Sequence, residues 1–141
     1  MSVPKKVLII DDDADYRRLI GEVLQMEGWV ALEAADGEAG LEMVSKERPD
    51  VVLCDLLMPR SNGFLVCRKI RGDFTLRHTK IIVTSGRDYD SERLAAREAG
   101  ADDYLTKPIK PYDLLALIAR LTDETTIITQ QSVARPLEPP Q

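Results

Sequence analysis

Cysteine is scarce in this 141-residue chain: there are two, Cys54 and Cys67, both in apolar stretches, with no CxxC spacing and no histidine companion. That excludes a disulfide framework or a thiolate metal site, and a reduced, cytosolic setting is expected. Histidine is scarcer still, with His78 alone in an expected loop. No run approaches the roughly 18 apolar residues of a membrane span. The N-terminal MSVPKKVLII has too short an apolar stretch for a signal peptide. Positive charge is outweighed, 19 Lys and Arg against 24 Asp and Glu, giving a net charge of −5. An electrostatic grip on nucleic acid or on an anionic membrane is therefore not expected.

What is there suits one soluble domain with a real core. Short apolar runs alternate with amphipathic stretches. Val7–Ile10, Trp29–Ala34, Val51–Cys54, Ile81–Thr84 and Asp103–Thr106 read as five strands, β1 to β5. Strands this short, and apolar on both faces, belong inside a parallel sheet. Five helices, α1 to α5, are marked in turn by five groups of residues: Tyr16, Leu19, Ile20, Val23 and Leu24; Leu41, Met43 and Val44; Val66, Cys67 and Ile70; Leu94, Ala95 and Ala99; and Leu114, Leu115, Leu117, Ile118 and Leu121. Gly28, Gly72 and Gly100 stand where left-handed helix caps are wanted, Pro49 closes the second helix, and Pro111 suits the first turn of the last. The alternation predicts an α/β fold, a doubly wound (βα)5 unit of the flavodoxin-like kind with strand order 2-1-3-4-5. Its switch point lies at the carboxyl ends of β1 and β3.

That topology brings together acids far apart in sequence. VLIIDDDAD places Asp11, Asp12 and Asp13 at the end of β1, and Asp55 follows VVLC at the end of β3. Unit charges about 4 Å apart repel by roughly 4 kcal/mol at an effective dielectric near 20, so such a cluster needs a cation or a division of labour. Asp13, followed by Asp15, reads as the N-cap of α1. Asp11, Asp12 and Asp55 remain as an oxygen-rich site for a hard cation such as Mg²⁺; taken singly, each also reads as a solvated loop acid. Ser85 ends β4 and Lys107 ends β5, where a hydroxyl and an amine could face an anion. Alone, Lys107 reads as a surface lysine before a proline, and Ser85 as a turn residue. A carboxylate beside Mg²⁺ can attack a phosphoryl group to form an acyl phosphate, and Asp55, alone at its strand end, is the best nucleophile. Tyr104 reads equally as a sheet residue with a polar tip and as plain packing.

The combination of VLIIDDD, CDLLMPRSNGF, IIVTSG and GADDYLTKP, from about Lys5 to Leu121, resembles the receiver domain of two-component response regulators. The resemblance implies the receiver fold over residues 1–121 and Asp55 as phosphoacceptor, with Lys107 and Ser85 assisting. It implies Mg²⁺, or Mn²⁺ in its place, held by Asp12 directly, by Asp11 through water, by Asp55 and by the backbone carbonyl of Leu57. It makes Ser85 and Tyr104 the switch pair, and Lys107–Pro108 a cis peptide. Leu57 and Arg87 stand at positions that tune phosphate loss. An apolar Leu57 cannot orient a water, and Arg87 is expected to shield the phosphoryl, so a long-lived phosphoform is expected.

The implied phosphodonor is a sensor histidine kinase or a histidine phosphotransfer protein. The implied output is a downstream protein or a covalently linked domain, reached through an α4-β5-α5 face that could also form a homodimer. The chemistry expected is self-phosphorylation and autodephosphorylation in the cytoplasm. Rival readings are an aspartyl phosphatase, disfavoured by Leu57 in place of a second acid; a flavin module, disfavoured by acids where phosphate would sit; and a degenerate receiver acting only as an interaction module. Residues 122–141, rich in Thr, Gln and then Pro, read as a flexible tail or the start of a linker. A stand-alone regulator and the front end of a longer one both remain open.

Overall fold

The structure, a computed structural model, describes residues 5–122; nearly all of the expected tail lies outside them. Five strands form one parallel sheet: β1 (Lys6–Ile10), β2 (Val30–Ala34), β3 (Val51–Asp55), β4 (Lys80–Ser85) and β5 (Asp103–Thr106). Their order is 2-1-3-4-5, as the alternation predicts. The helices are α1 (Ala14–Met26), α2 (Gly37–Glu47), α3 (Gly63–Arg71), α4 (Asp90–Glu98) and α5 (Pro111–Leu121). No described helix is long and apolar enough to cross a membrane.

The period of two along each strand builds two apolar layers. Val7, Ile9, Val51, Leu53 and Ile82 pack with Ile20 and Leu24 of α1 and with Leu114, Leu117 and Ile118 of α5. Leu8, Ile10, Val52, Cys54, Ile81 and Val83 pack on the other face with Val44, Val66, Cys67, Ile70 and Ala96, from α2, α3 and α4. A fully buried Val, Leu or Ile contributes about 1.5–3 kcal/mol, so the central strands anchor both layers and hold their carboxyl ends in place.

Several local details depart from the expected pattern. Leu19 and Leu94 lie on the solvent side, 58% and 56% exposed, and the buried residue of α4 is Ala96. The α4 helix is short and polar and packs through small side chains, so Leu94 has no core to enter. Gly28 and Gly100 are left-handed, with φ of +92° and +110°, whereas Gly72 is right-handed, with φ of −74°. The left-handed residue ending α2 is Arg48, just before Pro49. Two elements were not expected: an antiparallel pair of two-residue strands, Leu57–Met58 with Ser61–Asn62, and a 3-10 turn at Phe74–Leu76.

The antiparallel pair turns the chain directly from β3 into α3, and Gly63 makes the turn fit. A Cβ on Gly63 would lie 2.7 Å from the Asp55 carbonyl oxygen and 2.8 Å from Leu56 Cα. Both neighbours are backbone and cannot rotate away. Gly63→Ala is expected to cost about 1–3 kcal/mol in urea unfolding, and an unchanged midpoint would contradict this packing. Asp13 caps α1, accepting from the N–H groups of Asp15 and Tyr16, both at 3.1 Å. Asp13→Ala is expected to cost about 1 kcal/mol in the same assay.

Candidate functional site

At the carboxyl end of β1, Asp11 extends the ladder by donating its N–H to Ala34 O of β2 (3.1 Å). Its side chain is buried, at 1% exposure. One oxygen, Oδ1, accepts from Asp13 N–H (3.0 Å), which closes the turn into α1. The Asp11 carbonyl accepts from the Arg17 guanidinium (2.7 Å). Asp12, next in the chain, is exposed. Asp55 is the last residue of β3 and is 6% exposed. Asp11, Asp12 and Asp55 each offer a carboxylate oxygen, and these oxygens lie within 4.8 Å of one another. The three acids expected to converge do so.

Lys107 reaches the same crevice from the end of β5. Its backbone N–H donates to Ser85 O (2.7 Å), and the Lys107–Pro108 peptide is cis. The ammonium donates to Asp11 Oδ2 at 2.7 Å and lies 3.4 Å from Asp55 Oδ1. Burial alone pulls the Lys107 amine down, but the hydrogen bond to Asp11 and the charges of Asp55 and Asp11 outweigh it and hold the amine above its ordinary value. Burial pushes the Asp55 carboxyl up to about 6; the Lys107 charge pulls it back, and the charges of Asp11 and Asp12 push it up again. Three carboxylates thus share a crevice with one ammonium, which contacts two of them, Asp11 and Asp55. The remaining negative charge, presented by oxygen atoms, suits a hard divalent cation.

The other expected residues lie around this core. Asp55 pairs in register with Thr84 of β4, and buried Ser85 comes one residue further on. The Ser85 hydroxyl accepts from Arg87 N–H (3.1 Å). Tyr104 of β5 is buried, at 5% exposure, and donates to Arg87 O (2.9 Å). The aromatic ring therefore lies inward in this conformation. Burial pushes its phenol up. The Arg87 side chain turns to α4, where it pairs with Glu92 and lies 5.2 Å from the Tyr89 ring centroid. Leu57, in the antiparallel pair after β3, is 52% exposed.

Three neighbours escaped the sequence reading. Glu92 holds Arg87, and its Oε1 lies 3.4 Å from the Tyr104 hydroxyl. Arg93 lies 4.8 Å from the Tyr104 ring centroid and is itself held by Asp88 at 2.6 Å. Tyr16 puts its ring under the Lys107 ammonium, 4.5 Å from Nζ to the centroid. Nothing in the local pattern marks these residues. Glu92 and Arg93 are charged residues of α4, and Tyr16 reads from the sequence as part of the apolar face of α1.

The sequence matches the response regulator receiver domain family over residues 7–119. It is similar to the response regulator MprA of Mycolicibacterium vanbaalenii, 40% identical over 124 residues, a match that covers 88% of this chain and 53% of that protein. MprA of Mycobacterium tuberculosis is 40% identical over 120 residues, covering 85% and 51%. The chain thus spans about half the length of the curated relatives it matches. Among solved structures, it is similar to a CheY-like response regulator receiver domain protein of Methanospirillum hungatei, with a TM-score of 0.81 and 29% identity over 88% of this chain and 98% of that one. It is also similar to the BeF3-activated DrrB receiver domain, with a TM-score of 0.75 and 31% identity over 86% and 99%.

The raised Asp55 carboxyl has a consequence for stability. It binds its proton more tightly folded than unfolded, so it opposes folding increasingly as pH rises from about 4 to about 6. In divalent-free buffer, Asp55→Asn is expected to gain stability over the parent across that window and to hold the gain above it. The gain is on the order of 1–3 kcal/mol. Urea melts at a series of pH values read it directly, and a gap that shrinks with rising pH would contradict the assignment.

Proposed function

The chain belongs to the response regulator receiver family, and on that footing we propose that it is a phosphorylation-controlled switch with Asp55 as its acceptor. The observation that carries the reading is the buried Asp55 carboxylate, held 3.4 Å from Lys107 and beside the Asp11 and Asp12 oxygens. In the step proposed, an Asp55 carboxylate oxygen attacks phosphorus as the bond to the donor breaks. The donor is a phosphohistidine nitrogen of a sensor kinase or phosphotransfer protein, or the acyl oxygen of a small acyl phosphate. The leaving group takes the bonding electron pair, and a phosphohistidine donor also regains a proton on its imidazole. Asp11 and Asp12, with Asp55 and the Leu57 carbonyl, would hold Mg²⁺ or Mn²⁺. That ion would supply charge neutralisation for the phosphoryl oxygens. Lys107 would complement this as a positioned donor beside Asp55.

The Ser85 hydroxyl is one residue beyond the level of Asp55 and is proposed to bond the phosphoryl oxygen. Doing so would draw it from its present contact with Arg87 N–H. The segment from Ser85 to Arg87 also carries the carbonyl that holds Tyr104. Movement at Ser85 is thereby coupled to the aromatic ring and to the α4-β5-α5 face. A modification acts in this way by biasing a bistable element. The target of that face is proposed to be a downstream protein, an attached output domain or a second copy of the chain.

Intact mass after incubation with acetyl phosphate tests the reading. A single phosphate adduct is expected, dependent on Mg²⁺ and absent in Asp55→Asn. A folded protein that forms no adduct would instead be a phosphorylation-independent interaction module. Leu57 is apolar and projects into solvent, so it cannot orient a hydrolytic water. Leu57→Asn is expected to speed loss of the adduct several-fold in a time course after donor removal, and an unchanged lifetime would remove Leu57 as a tuning residue.

A further inference from the structure

The Lys107 ammonium has a third neighbour besides Asp11 and Asp55. It lies 4.5 Å from the centroid of the Tyr16 ring. Resting on the acceptor reading of Asp55, we infer that Tyr16 is a positioning residue that seats the Lys107 ammonium for contact with a phosphoryl group on Asp55.

The local structure explains how the ring arrives there. Asp13 caps α1 and accepts the Tyr16 N–H at 3.1 Å, which fixes Tyr16 in the first helical turn. Long side chains on a helix point back toward its N-terminus. From the first turn, that direction leads to the carboxyl end of β1, where Asp11 and Asp12 stand. The ring is half-buried and packs against the layer formed by α1, α5 and the sheet. Its position is therefore set by both helix and core. Burial, followed by the charges of Asp11 and Asp55, raises the phenol well above its ordinary value, so the ring stays neutral.

A neutral ring suits this task in a way that a further acid would not. An ammonium has three donors. Asp11 takes one at 2.7 Å, and Asp55 lies within reach at 3.4 Å. A third carboxylate would compete with phosphoryl oxygens for the remaining donor. An aromatic face attracts the charge without acting as a strong acceptor, so the ammonium is held in place and still free to bond a new anion. The seat is also independent of Asp11, whose oxygens are the ones a divalent cation would share.

The test is a set of variants of this chain: Tyr16→Phe, Tyr16→Leu, Lys107→Met and Tyr16→Leu with Lys107→Met. Each is incubated with Mg²⁺ and increasing acetyl phosphate, and adduct formation is followed by intact mass. Tyr16→Leu is expected to lower the maximal rate about threefold to tenfold, with little change in half-saturation. Tyr16→Phe, which keeps the aromatic face, is expected to restore most of the parent rate. In the Lys107→Met background, Tyr16→Leu is expected to have no further effect.

If that background is too slow to follow, the same cycle is read calorimetrically, from the binding of beryllofluoride with Mg²⁺. The inference is overturned if Tyr16→Leu matches the parent, if Tyr16→Phe is as slow as Tyr16→Leu, or if the defect persists without Lys107. A parent that forms no Asp55-dependent adduct would instead overturn the acceptor reading itself, so the two failures are distinct.

Discussion

Three carboxylates gathered at the ends of two buried strands repel one another, and the Lys107 ammonium holds two of them, Asp11 and Asp55, together. It contacts Asp11 at 2.7 Å and approaches Asp55 at 3.4 Å, tying the ends of β1, β3 and β5 across the sheet. The compensation is partial. Asp55 remains costly to ionise, with its carboxyl pushed up to about 6, because burial removes water that would otherwise solvate the charge. An acid in that condition favours whatever supplies positive charge beside it or converts it to another species. The cost of ionising Asp55 and the chemistry proposed for it therefore have the same source.

The surrounding fold keeps that tension local. Both faces of the central strands are packed with Val, Ile and Leu at or near zero exposure, so the strand ends cannot drift apart to relieve the repulsion. Gly63 lets α3 start against the backbone of Asp55 and Leu56, closing the crevice from the side of the antiparallel pair. The more adaptable part lies toward α4. There Arg87, Glu92 and Arg93, at or near the surface, are joined to one another or to the buried Tyr104 by polar and cation–π contacts. Contacts of that kind are individually weak and exchange more readily than packed apolar layers, which suits a segment proposed to change on phosphorylation.

Much of this was legible in the chain. The strands were marked by short apolar runs, and their order followed from regular alternation with helices. The convergence of Asp11, Asp12, Asp55 and Lys107 then followed from the topology alone, because all four sit at carboxyl ends of parallel strands. Asp13 was identifiable as a cap because the residue type, the position and the following Asp15 agree. Leu19 and Leu94 were misread, since periodicity assigns a face to a helix but not the width of the core beneath it. The two-residue strands after β3 are too short to leave a pattern.

The residue types and their spacing, then, determined the sheet, its order and the membership of the acidic crevice. These depend on hydrophobic period and chain connectivity, which are local or topological. Only the tertiary structure decided how the charges are shared: that Lys107 sits closer to Asp11 than to Asp55, that Arg87 turns to Glu92 rather than toward the acids, and that Tyr104 lies inward. It alone placed the Tyr16 ring beneath the ammonium. Those outcomes depend on side-chain direction and on distances between residues far apart in sequence, which a period of two or of 3.6 does not encode.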